Sequence, residues 1–408
     1  MNKYLIKILK TNDGLYRFFR YLFYKVGAVV AATNTSFRFI LGGRERRRLD
    51  TVREYFSPTP VAGYIGWIGK GNLGDEALLL SFKKLFPGIR LIDLSDTIPV
   101  ELFLHRRMLG RKQFDMVFLG GGTLINGSNY LPPLEKALSR GEPCVVFGTG
   151  VRNPQYWSNV WSSDPSESMT AWVESLTRAS RVLVRGPDSA SILAQYSLDD
   201  VQIVGDPALS ICSARPPREG RASNVVINVG SKGVIWGDQQ QVNRVIGQVC
   251  RNLLDRGVEV NFVAMNASDE SFIRLIVDEH SLAGRVKFWF DYEDIYGTIN
   301  FIKRNDIMIG ERLHAVVLGC GSGVPSISIA YRPKCLDFMR SLGLEKYCIR
   351  TDELTLESLM AMIRDVESKT AELSAAMNKR CDELRALQEE FAAEITQEIL
   401  AQYESFKN

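Results

Sequence analysis

The chain has 408 residues, 45% of them hydrophobic and 24% charged, which is typical of a globular protein of two or more domains. Its net charge of +3 is too small to indicate a nucleic-acid-binding protein. The seven cysteines are scattered without a CxxC pair, so neither a disulfide framework nor a structural zinc site is indicated, and a reducing compartment is favoured.

The basic charge is concentrated in residues 1–48, which contain eleven Lys and Arg against two acidic residues. Apolar residues between positions 15 and 30 recur at helical spacing, which predicts a basic amphipathic extension over 1–57. Two interpretations stay open: the helix lies on an anionic membrane surface, or its apolar stripe packs on the protein itself. The apolar run at 26–32 is too short to span a bilayer and starts too late for a secretory signal. We therefore expect a cytoplasmic protein, with peripheral contact with the inner face of the membrane as the open alternative.

From residue 58 onward, short apolar runs that end in Gly or Asp alternate with helical patterns. Strands are predicted at 61–68, 90–94, 115–119, 143–148, 181–185 and 201–204, and again at 224–229, 258–264, 286–289, 306–309 and 326–330. A segment rich in Pro, Gly and charge at 213–223 predicts a linker. We therefore expect an α/β fold of two doubly wound Rossmann-like domains, 58–212 and 224–351, facing a cleft at the carboxyl ends of their strands.

Residues 352–408 contain neither Pro nor Gly and are rich in Leu, Ala and Glu, which predicts one or two helices. Because no clean heptad pattern persists, docking on the two domains is favoured over pairing with another chain.

The segment 69–74 matches GxGxxG, and Asp93 follows near the position of a ribose-binding acid, so a dinucleotide site has to be considered. Against it, Asp75 and Glu76 would place negative charge at the helix N-terminus that should hold the pyrophosphate. Further Gly turns occur at 120–122, 148–150 and 205–207. Each is either a tight turn that requires positive φ or part of a rim of backbone N–H groups that suits an anionic or oxygen-rich ligand.

Three cationic or titratable side chains lie at the ends of predicted strands or just after them: Arg185 ends the strand at 181–185, and His314 and Lys334 follow later strands. A parallel sheet delivers residues at such positions to the cleft. The helix dipole would lower the pKa of His314 and Glu311 would raise it, and an imidazole balanced in this way suits proton transfer. The alternatives are a capping or core histidine for His314 and surface ion pairs for Arg185 and Lys334.

The other two histidines, His105 and His280, lie in polar, helix-like surroundings, and we interpret both as surface residues.

Six motifs occur in the order and spacing of the polysaccharide pyruvyl transferase family, which the chain resembles over about 62–336: GNLGDEA at 71–77, GGGT at 120–123, VRGPDS at 184–189, GDP at 205–207, GERLH at 310–314 and YRPK at 331–334. The resemblance implies a fold like that of GT-B glycosyltransferases, with phosphoenolpyruvate as donor and a saccharide on a lipid-linked or polymeric glycan as acceptor. It also implies pyruvyl ketal formation in cell-surface or exopolysaccharide biosynthesis, without a further cofactor.

By motif, the residues that look catalytic are His314, Arg185 and Lys334. The expected substrate-binding residues are Gly71, Asn72, Gly74, Asp75, Glu76, Gly121, Gly122, Thr123, Ser189, Asp206, Glu311 and Arg312.

The chemistry of the donor suits these residue types. Phosphoenolpyruvate carries a carboxylate and a phosphate, which require several cations, and Arg185, Arg312 and Lys334 can supply them. His314 is the best candidate for carrying the proton. The acids Asp75, Glu76 and Asp206 either orient hydroxyls or cap helices and turns. No His, Cys or carboxylate cluster has the spacing of metal ligands, so we predict no required metal.

One position departs from the family pattern: Arg332 stands where the family often carries an acid, which adds positive charge and suggests a different acceptor. Two other functions stay open, a nucleotide-sugar glycosyltransferase of the same fold and a non-catalytic glycan-binding or scaffold protein.

Overall fold

The computed structural model describes residues 59–94, 114–127, 129–158, 165–218, 220, 222–230 and 235–405. The predicted amphipathic extension at 1–57 and His105 lie outside the described residues. Within the described part of the chain, no helix has both the length and the apolar content that crossing a bilayer requires.

The first half of the chain forms a seven-stranded sheet in which every pairing is parallel, in the order β2-β1-β3-β5-β6-β7, with β4 paired to β5. Its strands are β1 (Val61–Ile65), β2 (Arg90–Asp93), β3 (Met116–Leu119), β4 (Gly122–Ile125), β5 (Cys144–Val151), β6 (Arg181–Val184) and β7 (Gln202–Ile203). Its helices are α1 (Leu73–Leu85), α2 (Leu131–Leu138), α3 (Pro154–Ser158), α4 (Pro165–Leu176) and α5 (Pro187–Gln195), and a 3-10 turn (Pro207–Ile211) follows β7.

The second half forms a six-stranded parallel sheet in the order β10-β9-β8-β11-β12-β13, which is the strand order of a Rossmann sheet. Its strands are β8 (Asn224–Asn228), β9 (Glu259–Val263), β10 (Val286–Trp289), β11 (Ile307–Gly310), β12 (Ser326–Ala330) and β13 (Cys348–Arg350). Its helices are α6 (Gln239–Asp255), α7 (Ala267–Glu279), α8 (Ile295–Lys303), α9 (Leu313–Gly321) and α10 (Pro333–Ser341).

The central strands of both sheets are buried along their whole length, because helices cover both faces of a parallel sheet. Because both faces of these strands are shielded from water, their sequences are continuously apolar. In the first half the core includes an aromatic cluster in which the ring of Phe82 lies 4.9 Å from that of Tyr64 and 5.4 Å from that of Phe118. The predicted α/β architecture with two doubly wound sheets is confirmed, whereas β4 and β13 were not predicted.

Two helices end the described chain, α11 (Leu356–Ser368) and α12 (Thr370–Ser405). The long helix α12 crosses both halves. Near its start Met377 and Leu384 belong to the core of the second half, and near its end Ile395 and Ile399 belong to a core cluster of the first half. The side-chain amide of Gln388 also donates to the carbonyl oxygens of Val204 and Asp206, at 2.8 and 3.0 Å. The predicted docking of the C-terminal helices on the two domains is therefore confirmed.

His280 corrects one interpretation made from the sequence. The residue is buried rather than at the surface, and its ring packs so closely on Gly247 that a Cβ at that glycine would overlap it. The error arose because its polar sequence neighbours are exposed, whereas the ring itself turns towards the adjacent helix α6.

Candidate active site

The candidate site is a cavity of about 520 Å³ between the two halves. It lies where the strand order reverses in each sheet, next to the loops that follow β1, β3 and β11, which is where doubly wound folds bind ligands. The predicted site residues that line it are Asn72, Asp75, Gly122, Thr123, Arg312, His314 and Lys334. A second cavity, of about 270 Å³, lies beside Arg181 and is lined by none of the predicted site residues.

The loop after β1 joins the two halves. Asn72 caps α1, because its side-chain oxygen accepts the N–H of Gly74 at 3.1 Å. The N–H of Leu73 donates to the carbonyl of Met265 in the second half at 2.9 Å. Gly74 has no space for a side chain, because a Cβ there would overlap the imidazole of His314. The glycine therefore allows a histidine of the second half to pack on the first turn of α1.

The two acids that follow this glycine have different surroundings. Asp75 lies in the cavity wall, and burial raises the pKa of its carboxyl to about 7, with Lys334 opposing the shift and Glu76 adding to it. The carboxylate of Glu76 instead accepts the N–H of Gly69 at 2.6 Å and holds the glycine loop. Only Asp75 is therefore placed to act on a ligand in the cavity, and it is about half protonated at neutral pH.

His314 stands in the first turn of α9 and is nearly buried, with Nε2 3.7 Å from Oδ2 of Asp206. Neither atom has a hydrogen-bond partner among the described residues. Burial lowers the pKa of His314 to about 3, and the positive charges of Lys334 and Arg185 act in the same direction. Burial raises the pKa of Asp206 to about 6, against the attraction of Arg185. At neutral pH the pair is thus a neutral imidazole facing a carboxylate.

The helix dipole and Glu311 were expected to have opposing effects on the pKa of His314, and this expectation is wrong for a geometric reason. Glu311, which was expected to raise the pKa of this imidazole, turns away from it and accepts the N–H of Gly230 at 2.8 Å and the side-chain amide of Gln239 at 3.1 Å. The prediction of an imidazole that titrates near neutral pH is therefore corrected to a neutral one, and Glu311 holds the loop after β8.

Arg185 lies behind the cavity wall and is fully buried. Its Nη1 donates to the carbonyl of Gly122 at 2.8 Å and to Oγ1 of Thr123 at 3.2 Å, so it fixes two residues that line the cavity. Its Nη2 lies 3.3 Å from the carboxylate of Asp337 in the second half. The alternative of a surface ion pair for Arg185 is therefore wrong, because its carboxylate partner is buried with it.

Asp337 was not among the predicted site residues. Its carboxylate projects from α10 and accepts a hydrogen bond from the hydroxyl of Ser189 at 2.7 Å. It also accepts hydrogen bonds from the N–H groups of Asp188 and Ser189 at 3.0 and 3.2 Å. It therefore caps α5 of the first half from the second half, and Ser189 serves this contact rather than the cavity. Its position in the sequence could have indicated a role at the site, because Asp337 follows Lys334 by one helical turn and lies on the same face of a short helix.

The cations in the cavity wall are held in two ways. Arg312 donates to Oδ1 of Asp269 through Nε and Nη2 at 3.0 and 2.7 Å, which orients its guanidinium group. Asp269 was likewise missed by sequence reasoning. Lys334 packs its ammonium group over the ring of Tyr331 at 5.0 Å and has no hydrogen-bond partner among the described residues. Both cations therefore keep donors that a ligand can use.

The glycine turn after β3 is explained mainly by packing. Gly120 faces the ring of Tyr64 and Gly121 faces Leu78, and a Cβ at either position would overlap those side chains. Gly122, with φ of +104°, lines the cavity and presents its carbonyl to Arg185. Gly71 is exposed, with φ of +70°, and neither it nor Gly121 lines the cavity.

No group of three or more His, Cys, Asp or Glu side chains in the described part of the chain is arranged to hold a metal ion.

Comparisons with known proteins identify the family and the fold of the chain. The family model "Polysaccharide pyruvyl transferase" matches residues 72–333. The amylovoran biosynthesis protein AmsJ of Erwinia amylovora is 23% identical over 172 residues, which is 40% of this chain and 40% of that relative. The fold is similar to MnaA of S. aureus, solved with UDP, at 10% identity and a TM-score of 0.54, covering 78% of this chain and 92% of that one. It is also similar to HepE of Anabaena, solved with UDP and glucose, at 11% identity and a TM-score of 0.52. That match covers 83% of this chain and 100% of that one. The fold is thus GT-B-like, and because the family model spans most of the chain, this protein belongs to the polysaccharide pyruvyl transferase family.

Proposed function

We propose that this protein transfers the pyruvyl group of phosphoenolpyruvate to two hydroxyls of a saccharide as a ketal, in the synthesis of a cell-surface polysaccharide. The observation that supports this most is the grouping of Arg312, Lys334 and Asp75 around one cavity, at the switch points of both sheets. Two cations can bind an anionic donor there, and a carboxyl group with a pKa near 7 can move a proton.

The donor would bind against Lys334 and Arg312. Phosphoenolpyruvate has a carboxylate and a phosphate, and an ammonium group and an oriented guanidinium group match that pair of anions. The Asp269 carboxylate holds Arg312 in place before the donor arrives, so binding need not order this side chain. Arg185 would act on the donor indirectly, because it fixes Gly122 and Thr123 in the wall rather than reaching the cavity.

The chemistry requires one proton to be delivered to carbon. Protonation of the methylene carbon makes a methyl group and leaves C2 electron-poor, and the first sugar hydroxyl then adds to C2. The C2–O bond to phosphate breaks, phosphate departs with the electron pair, and a second hydroxyl adds to C2 and closes the ketal ring. One of the two hydroxyl protons replaces the proton given to carbon, and the other leaves with phosphate.

Asp75 suits this proton transfer better than His314. A neutral imidazole with a pKa of about 3 has no spare proton to give, whereas Asp75 is partly protonated near pH 7 and faces the cavity. Once ionised, its carboxylate can take the proton of the attacking hydroxyl and return to the starting state. In this scheme His314, opposite Asp206, donates one hydrogen bond to a ligand oxygen.

The test is an assay of purified protein with phosphoenolpyruvate and a panel of saccharides, in which phosphate and ketal are both quantified. We expect acceptor-dependent release of phosphate in equal amounts to ketal. Lys334→Gln should lower the rate by about 100-fold or more, because a cation aimed at the donor is lost. The matched variant Lys83→Gln, at an exposed position of α1, should leave the rate unchanged.

The same assay separates the alternatives. Both fold neighbours named above were solved with UDP, so consumption of a UDP-sugar without phosphoenolpyruvate would favour a glycosyltransferase. Saccharide binding without any turnover would favour a non-catalytic glycan-binding or scaffold protein. Contact of residues 1–57 with a membrane stays a prediction, and flotation of the full chain with anionic and neutral liposomes checks it.

A further inference from the structure

Two arginines from different halves meet on one indole ring at the cavity. Arg152 follows β5 of the first half, and Arg332 precedes α10 of the second half. Their guanidinium groups lie 5.7 and 5.2 Å from the ring centre of Trp157. All three side chains line the cavity. We call Arg152, Trp157 and Arg332 the arginine rim.

The rim continues into the donor region through a second ring. Arg332 lies 5.3 Å from the ring centre of Tyr331, and Lys334 contacts the same ring at 5.0 Å. Cations and aromatic rings therefore alternate from Arg152 to Lys334. Arg332 also makes a side-chain hydrogen bond with Tyr156. Because a guanidinium group carries five N–H donors and a ring face occupies none of them, both arginines can still offer donors to a ligand.

The rim concentrates positive charge. Burial lowers the pKa of Arg152, and the nearby charge of Arg332 lowers it further. Among the described residues that line the cavity, Asp75 has the only carboxylate, and that carboxylate is coupled to Lys334 and Arg312. An anionic ligand group at the rim would therefore relieve the repulsion between the two arginines.

The position of Arg332 on its helix also points to a ligand. Arg332 is the N-cap of α10 and makes no side-chain capping hydrogen bond. This position favours Asp, Asn, Ser or Thr, and a cation there opposes the helix dipole. The chain thus carries an arginine where helix stability favours an acid, and the arginine faces the cavity.

We infer that the arginine rim binds an anionic group, a carboxylate or a phosphate, carried by the acceptor saccharide. That the ligand is an acceptor rests on the proposed function, in which Lys334 and Arg312 hold the donor. Two planar guanidinium groups fixed by one ring can bind both oxygens of such an anion. The specificity of this enzyme is therefore for an acidic sugar rather than a neutral one.

The experiment compares the binding of methyl glucoside, methyl glucuronide and glucose 6-phosphate to the full chain by calorimetry. We expect at least one of the two anionic sugars to bind about ten- to hundredfold more tightly than the neutral sugar. The comparison between the glucuronide and the phosphate shows which anion the rim prefers. Arg332→Asp and Arg152→Gln should each abolish most of the difference, whereas Arg244→Asp, at an exposed position of α6, should keep it.

A folding measurement separates lost binding from lost structure. Arg332→Asp places a good N-cap on α10, so its melting temperature should be unchanged or higher even though the preference for anionic sugars is lost. Equal binding of all three sugars by the unaltered chain, or no binding of any, would overturn the inference. A preference that survives in both arginine variants, or variants that weaken only phosphoenolpyruvate binding, would also overturn it. Failure of phosphate release in the assay above would reject the proposed function without removing an observed preference for anionic sugars.

Discussion

The carboxylate of Asp337 in the second half of the chain lies 3.3 Å from Nη2 of Arg185 in the first half, and both side chains are buried. The same carboxylate caps α5, and Arg185 holds the Gly122–Thr123 turn in the cavity wall. One buried ion pair therefore connects the relative placement of the two sheets with the shape of the candidate site.

Removal of this carboxylate should be strongly destabilising. We predict that Asp337→Ala lowers the free energy of unfolding by about 3–5 kcal/mol, because it leaves the buried charge of Arg185 uncompensated. Denaturant unfolding measures the effect. The control is Asp188→Ala, which breaks the more exposed pair with Arg340 at 2.7 Å and should cost no more than about 1 kcal/mol. Equal costs for the two variants would contradict the role given to the buried pair.

Asp75 should control the pH dependence of turnover. Its pKa of about 7 means that the protonated form, which gives up the proton, is lost as pH rises through 7. We predict that kcat/KM with phosphoenolpyruvate falls above about pH 7, and that Asp75→Asn lowers it by 10²-fold or more, a typical contribution of general acid catalysis. An unchanged pH profile in the Asp75→Asn variant would assign the proton transfer to another group.

The same raised pKa predicts that Asp75 lowers the stability of the folded state at neutral pH. Between pH 3.8 and about 7 the folded state binds the proton of Asp75 more tightly than the unfolded state, so this group lowers stability as pH rises through that range. At pH 8 Asp75→Asn should therefore be more stable than the unaltered chain by about 1–3 kcal/mol, and near pH 4 the gain should shrink. Denaturant unfolding at the two pH values checks this, and an equal change at both would contradict it.

His314 should not titrate in the physiological range. With a pKa of about 3 its imidazole stays neutral, so its ring nitrogen signals in NMR should be constant between pH 5 and pH 8. The His314→Asn variant identifies the signals by their loss. A midpoint near pH 6.5 would show that the ring is more hydrated than its burial indicates, and would restore His314 as a proton carrier.

The contact between Gly74 and His314 predicts a rescue. Gly74→Ala alone should destabilise the protein by about 1–3 kcal/mol, because its Cβ would overlap the imidazole. In a His314→Ala background the overlap is gone, and the same change should be neutral or stabilising because Ala favours the helix over Gly. If the losses of unfolding free energy from the two single variants simply add in the double variant, the two residues are not in contact in solution.

Much of the fold could be predicted because each strand has a local signal. A strand buried on both faces reads as a continuous apolar run, and the strand predicted at 326–330 matches the observed bounds. Strand β4 was missed because it starts within the glycine motif, where the sequence indicates a turn.

The roles of the site residues were harder to predict, because they depend on contacts distant in sequence. Arg185 and Lys334 both follow a strand as cations, but only Lys334 lines the cavity. Arg185 is buried because Asp337, 152 residues away, supplies its counter-charge. The neutral state of His314 likewise depends on its burial against Gly74 of the other half. Neither contact can be inferred from residue propensities or from the spacing of residues in the sequence.

The most direct test of the proposed reaction follows the donor carbon itself. Phosphoenolpyruvate labelled with carbon-13 at C2 is incubated with the protein and an acidic saccharide, and the labelled carbon is observed by NMR. We expect the enol signal to be replaced by that of a ketal carbon bound to the saccharide, with one phosphate released for each ketal. Label that appears only as free pyruvate, or that stays in the donor with every acceptor, would contradict pyruvyl transfer.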